Sequence, residues 1–173
     1  YFENTSDSRI ENTKVSGSYY GIYLEKSDNN TIKDNNASDN DKGIRLYSSS
    51  NNIMRNNHMY GNRYNFGASG HNDVDTGNLV DGKPVYYLVD VSGKVIDSSS
   101  GAGFVYCIDC ENISVRSLTL KNNRYGIYFE NTSDSRIENS KVSGSYYGIY
   151  LEKSDNNTIK GENISNNYYG VRL

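Results

Sequence analysis

The sequence predicts an all-β solenoid, a stack of parallel coils of about 22 residues each with one inserted hairpin. Three observations carry this. Tyr1–Lys33 and Tyr128–Lys160 agree at 32 of 33 positions, differing only as Thr13 against Ser140, so the chain holds a 127-residue super-repeat in which residues 1–46 correspond to 128–173. Within it a glycine followed by an aliphatic residue returns every 22 residues, as Gly21-Ile22 and Gly43-Ile44, then Gly126-Ile127, Gly148-Ile149 and Gly170-Val171. Between these landmarks apolar and polar residues alternate, as in Ile22, Tyr23, Leu24 and Glu25, which suits strands with one buried face.

Residues 1–67 read as coils. Each carries short strands, "GIYLE" and "NTIK" among them, joined by Ser, Asp and Asn runs such as "KSDNN" that suit tight bends. A recurring isoleucine marks entry to a short β run at Ile10, Ile32, Ile53, Ile113, Ile137 and Ile159. The glycine that opens the longer strand is expected to supply a corner conformation that other residues avoid. A single thin coil cannot bury its apolar face, but a second coil about 4.8 Å away pairs with it in parallel and completes the core. Ile22 then lies over Ile44 and Leu24 over Leu46, and likewise Ile127, Ile149 and Val171 beside Phe129, Leu151 and Leu173. Columns such as Asn36, Asn57 and Asn163 either form amide ladders along the axis or fill solvated turns.

Residues 68–102 break the rhythm. "KPVYYLVDV" and "SGKVID" predict two β runs around a Ser92-Gly93 turn, a hairpin that projects from or widens one coil. Its Asp73, Asp75, Asp81 and Lys83 read as ordinary charges on an exposed loop. Coils resume over residues 103–173.

Composition narrows the function. The formal charge of -3 gives no field that would recruit nucleic acid. Asn, at 25, is the commonest residue and Tyr reaches 17, against no Trp and a single proline, Pro84. Aromatic and β-branched residues at fixed spacing argue for order in a chain of otherwise low hydropathy. No stretch approaches the roughly 20 apolar residues of a membrane span. No signal-peptide pattern is read within the sequence, and a sequence that opens and closes inside repeats is expected to belong to something longer, with any targeting signal outside it.

The stretch "GIYLEKSDNNTIKDNNASDNDKGIRLYSSSNNIMRNN" resembles the repeats of right-handed parallel β-helix proteins related to pectate lyases, and is most similar to the NosD-like group abundant in archaeal cell-surface proteins. Leu79–Asn123 resembles a segment those proteins carry between blocks of coils. The resemblance implies a right-handed parallel β-helix and an extracellular, cell-surface location. It specifies architecture far more than activity.

Catalysis on such coils needs acids, or an arginine or lysine base beside bound calcium, gathered on one side. Glu3 stacks with Glu25 and Glu130 with Glu152, but their columns continue into Tyr47 and Cys107 with no Arg or His in register. No catalytic residue is assigned, and the chain is not expected to be an enzyme. "CIDC" is a weak sign of zinc, redox or copper chemistry. Counted from Gly103, Cys107 falls in an outward column and is a candidate for an interchain disulfide, while Cys110 enters the next strand and is expected to be buried. Two extended residues three apart face opposite ways, so the pair is not expected to bridge itself. His58, Met54 and Met59 cluster in "NNIMRNNHM" but read as packing or surface, and copper is suggested only by the family name. Neither a metal nor another cofactor is expected.

Of seven N-x-S/T sequons, Asn4, Asn29, Asn112, Asn131 and Asn156 are candidates for glycosylation, while Asn36 and Asn163 fall in expected ladders. Tyr1, Tyr23 and Arg45 share an outward register that Tyr128, Tyr150 and Arg172 repeat one block later, a row suited to lateral contacts or sugar rings. The expected role is a structural repeat module of an archaeal surface layer or sheath. It self-associates into a polymer or lattice through Tyr-rich faces, with cell-surface glycans as a second class of partner. The alternatives are a carbohydrate-binding or carbohydrate-processing β-helix and a copper-maturation factor.

Overall fold

The computed structural model describes all residues, 1–173. It is all-β apart from a short 3-10 turn at Ser98–Ser100. Two compact units, Tyr1–Val85 and Tyr86–Leu173, divide the chain. Their division falls within the strand Lys83–Val89, inside the stretch expected to be an insertion.

In the first unit each coil contributes one longer strand and two short ones. Tyr20–Glu25, Thr31–Lys33 and Asn36–Ser38 make one coil, and Lys42–Tyr47, Ile53–Arg55 and His58–Tyr60 make the next. Every equivalent pair is parallel: Ile22 lies opposite Ile44, Ile32 opposite Met54 and Ala37 opposite Met59. All six of these residues are buried, at 2% exposure or less. Each buried aliphatic side chain contributes roughly 1.5–3 kcal/mol by leaving water, and only a neighbouring coil can bury it. The second unit repeats the plan, with columns Val105–Ile127–Ile149, Cys107–Phe129–Leu151, Val115–Ile137–Ile159 and Leu120–Val142–Ile164.

Corners need backbone with positive φ, and the loop composition supplies it. Around one coil Lys26 (φ 47°), Asn29 (60°), Asp34 (56°) and Asp39 (55°) turn the chain between strands. Asn and Asp tolerate this region because their side chains bond locally to the backbone. The repeated strand glycines have another reason to be there. Gly21 is not left-handed; a Cβ at Gly21 would sit 2.6 Å from the Gly43 carbonyl oxygen, and one at Gly148 would sit 2.6 Å from that of Gly170. Close approach of adjacent coils, not corner geometry, requires glycine there.

Amide ladders do form, and of the three residues expected in them Asn57 takes part, while Asn36 and Asn163 lie on strands outside them, Asn163 exposed opposite Lys141. Asn36 pairs with His58 and keeps its side chain on the outer side, whereas Asn35, Asn57 and Asn78 stack inside a corner. Asn30, Asn52 and Asn72 line a second corner. Each inner Asn accepts a backbone N–H from the preceding coil and returns its amide to a carbonyl of that coil, as Asn35 does with Thr13 N–H (3.0 Å) and Ile10 C=O (2.8 Å). These bonds satisfy corner groups that the sheets leave unpaired. In the second unit the corners run Ser135 to Asn157, Ser140 to Glu162, and Asn123 through Ser145 to Asn167.

Two further expectations shift. Ile53 is 41% exposed and Met54 takes its place in the core column, just as Val115, rather than Ile113, pairs with Ile137. The hairpin turns at Asp81-Gly82 and not at Ser92-Gly93: Leu79 lies opposite Pro84 and Val80 opposite Lys83, antiparallel. Asp81 (φ 47°) and Gly82 (φ 78°) are consecutive left-handed residues, as a two-residue hairpin turn demands. Val95–Ile96 pairs in parallel with Ser114–Arg116 as an ordinary coil strand. On the inserted stretch, Asp73 and Asp75 both pair with Arg55, and Asp81 accepts the Gly61 N–H.

Candidate functional site: stacked tyrosines on the outer faces

The longer strands alternate inward aliphatic residues with outward Tyr and Glu, so parallel pairing at a fixed step stacks phenol on phenol. In the second unit Tyr106, Tyr128 and Tyr150 form one column, with ring centroids 4.4 and 5.0 Å apart and planes inclined by 11° and 15°. Tyr125, Tyr147 and Tyr169 form another, at 5.6 and 5.0 Å. The columns interlock through Tyr125 and Tyr128 at 4.6 Å. Beside them Tyr146 stacks on Tyr168 at 4.8 Å, with the Arg124 guanidinium 4.0 Å from the Tyr146 ring centre. Arg172 lies 4.9 Å from the Tyr150 ring.

Carboxylates complete the face. The Tyr106 hydroxyl donates to Glu130 at 2.7 Å and the Tyr128 hydroxyl to Glu152 at 2.6 Å. Burial first, and these acceptors with it, hold both phenols far above their ordinary range, while the bond from Tyr128 lowers Glu152 below the usual carboxylate value.

The first unit carries a smaller version. Glu25 accepts from Tyr1 (2.9 Å) and from Tyr23 (3.1 Å), and burial with that bond pushes Tyr23 up to about 12. Tyr23 stacks on Tyr20 at 4.3 Å, and the Lys42 ammonium sits 3.5 Å from the ring centre of Tyr19, which is 64% exposed.

The six residues expected at a lateral contact stand in the expected register: Tyr23 is opposite Arg45, Tyr128 opposite Tyr150 and Tyr150 opposite Arg172, with Tyr1 stacked on Tyr23 at 5.1 Å. Tyr128, however, is only 3% exposed, because flanking tyrosines cover it, so its ring supports the face and offers no surface to a partner. The most exposed rings include two that the sequence reading passed over, Tyr19 (64%) and Tyr168 (66%). The doubled tyrosine in "SYYG" and "NYYG" was the available signal.

Other candidate residues resolve differently. Cys107 is fully buried, opposite Phe129, and Ile108 occupies the outward column of Glu130, so the thiol expected to reach another chain faces the core. Cys110 is buried as expected and shares one core cluster with Cys107, although opposite orientations were anticipated. The acidic column therefore continues from Glu130 into Ile108, and from Glu25 into Tyr47. The five candidate glycosylation residues, Asn4, Asn29, Asn112, Asn131 and Asn156, are all exposed at positive-φ corners. In the second unit Asn131 and Asn156 use their amides to donate to Asp109 and Asp134.

Residues 1–83 and 77–173 both match the family model described as periplasmic copper-binding protein (NosD). No curated protein matches the chain. Met54 and Met59 are buried in core columns while His58 is exposed on the other side of its strand, so these three do not converge on one ion, and no group of three or more His, Cys, Asp or Glu gathers to hold a metal. No helix is long and apolar enough to cross a membrane.

Proposed function

The chain belongs to the family described as periplasmic copper-binding protein (NosD), and from that premise we propose that it is a non-catalytic structural repeat module of an extracellular cell-surface assembly, a surface layer or sheath of the kind the archaeal resemblance implies. The observation that carries this reading is the recurrence of outward Tyr, Glu and cationic side chains at the coil step, in both copies of a near-identical block. Aromatic rings flanked by Arg or Lys are the residues that protein interfaces favour. A face on which similar residue types recur from coil to coil suits repeated lateral pairing better than a single ligand pocket. Replacing Tyr19, Tyr146 and Tyr168 together by Ser tests it, since these rings lie outside the core columns. Sheets or tubes seen by electron microscopy for the unaltered chain are expected to vanish in the variant while its β-sheet circular dichroism persists. A chain that stays monomeric at millimolar concentration, or that binds glycans saturably without assembling, would overturn the proposal in favour of a carbohydrate-binding role.

A further inference from the structure

Cys107 and Cys110 are the only thiols of the chain, and both are buried, at 0% and 3% exposure, within one core cluster. The coil corner explains how residues three apart come to share the interior. Asp109 between them is left-handed (φ 51°), as are Lys26, Ser48, Asn131 and Lys153 at the matching corners. At each of those corners the core residue before the bend and the hydroxyl residue after it are both buried or turned inward: Leu24 with Ser27, Leu46 with Ser49, Phe129 with Thr132 and Leu151 with Ser154. The hydroxyl returns to the carbonyl two residues earlier, at 2.8 Å for Ser27, 2.9 Å for Ser49, 3.0 Å for Thr132 and 2.9 Å for Ser154. Cys110 takes that place, its Sγ 3.3 Å from the Ile108 carbonyl oxygen. Only in this coil are both corner positions sulfur.

We propose that Cys107 and Cys110 are a redox-active pair that closes into an intramolecular disulfide inside the coil. Closure proceeds by exchange with an external low-molecular-weight disulfide. The Cys110 thiolate attacks one sulfur of that disulfide and expels the other as a thiolate. Cys107 then gives up its proton and attacks Cys110 Sγ, expelling the second thiolate, so the external disulfide gains two electrons and, with the two protons from the cysteines, leaves as two thiols. The roles follow from the surroundings: the hydrogen bond from Cys107 brings Cys110 down to about 7, while burial pushes Cys107 up. Because the pair lies under 3% exposure or less, exchange is gated by local opening of this corner.

The reduced full chain, incubated with oxidised glutathione, is then denatured in acid, alkylated and mapped by mass spectrometry. The expected product has lost both alkylation sites together, carries a Cys107–Cys110 link and stays monomeric on a non-reducing gel, and it forms several-fold faster in sub-denaturing urea. Cys110→Ser, which installs the residue found at three matching corners, should remain folded and leave Cys107 unmodified in the native state. Two alkylatable thiols after prolonged oxidation, a persistent glutathione adduct on Cys110, or disulfides only between chains would each overturn the proposal.

Discussion

Asn57 is a stringent test of whether the inner amides hold the coils together. Its side chain is fully buried and takes part in four hydrogen bonds: its Oδ1 accepts from Asn35 N–H (3.1 Å) and Asn35 Nδ2 (2.9 Å), and its Nδ2 donates to the Ile32 carbonyl (2.8 Å) and to Asn78 Oδ1 (2.8 Å). Asn57→Ala leaves some of these groups with other partners, since Asn35 Nδ2 also reaches the Ile10 carbonyl and Asn78 Oδ1 still receives the Asn57 N–H. The Asn35 N–H loses its partner in a dry corner, while the Ile32 carbonyl, which the parallel ladder to the next coil also engages, loses one bond. At about 2 kcal/mol for the orphaned N–H and about 1 kcal/mol for the bond lost at the carbonyl, the variant should lose about 3 kcal/mol. Asn57→Asp should lose more, because a carboxylate oxygen then faces the Ile32 carbonyl and Asn78 Oδ1. The neighbouring Asn56, exposed and left-handed (φ 53°), is the control: Asn56→Gly should change stability by only a few tenths of a kcal/mol. Repeat proteins open locally, so native-state hydrogen exchange is the suitable assay. Protection at the Asn35 amide should fall about a hundredfold in Asn57→Ala. Protection within tenfold of the unaltered chain would refute the claim that the ladder is a main source of cohesion between coils.

Gly21→Ala should cost about 2–3 kcal/mol in urea unfolding, since its Cβ meets a backbone oxygen at 2.6 Å, whereas Gly17→Ala, left-handed at φ 69° with open space around it, should cost about 1 kcal/mol. Glu162, in the second unit, stands in a ladder position with its carboxyl raised by burial and held against the Ser140 N–H, so its folded value lies above its unfolded one. Its contribution to stability is therefore fully present below the unfolded carboxylate value and is lost as pH rises through the folded one, a dependence that Glu162→Asn should abolish in thermal melts taken between pH 4 and 7. Glu152, lowered by the bond from Tyr128, runs the opposite way: its contribution is present above the unfolded value and is lost as pH falls through the folded one, so Tyr128→Phe should flatten the acid limb of the same melts.

How much of this was legible in the sequence depends on which side of a corner a residue lies. Along the long strands the period-two pattern and the 22-residue step suffice, and Ile22 over Ile44 or Tyr128 beside Tyr150 follows from counting. Across a corner the alternation fails, because one left-handed residue resets which side faces in. That is why Met54 replaced Ile53, why Asn35 replaced Asn36 in the ladder, and why Cys107 and Cys110 share the interior although three residues apart. The glycines showed a different limit. Their spacing was visible, but the requirement comes from the carbonyl of the next coil, which is not a local property. A hairpin lies in the expected stretch but joins other strands around another turn, since Asp81-Gly82 and Ser92-Gly93 look alike until pairing partners are known.

The same non-local logic bears on the outer face. Tyr19 and Tyr146 occupy equivalent positions of the duplicated block, and each has a cation against its ring: Lys42, 23 residues later, at 3.5 Å from Tyr19, and Arg124, 22 residues earlier, at 4.0 Å from Tyr146. The two cations come from different sequence positions, so the duplication alone does not account for the recurrence. Both contacts lie within the chain and orient an exposed ring; an equivalent contact to a partner would contribute about 0.5–1 kcal/mol at an exposed site, too little alone to hold two proteins together. Repeated along a rigid stack at a spacing of about 4.8 Å, such contacts add at little further entropic cost, because ordering one coil against a partner orders its neighbours. In the assembly we propose, a weak contact is therefore sufficient provided it recurs, and loss of the exposed rings should abolish that assembly steeply with the number removed, not in proportion to it.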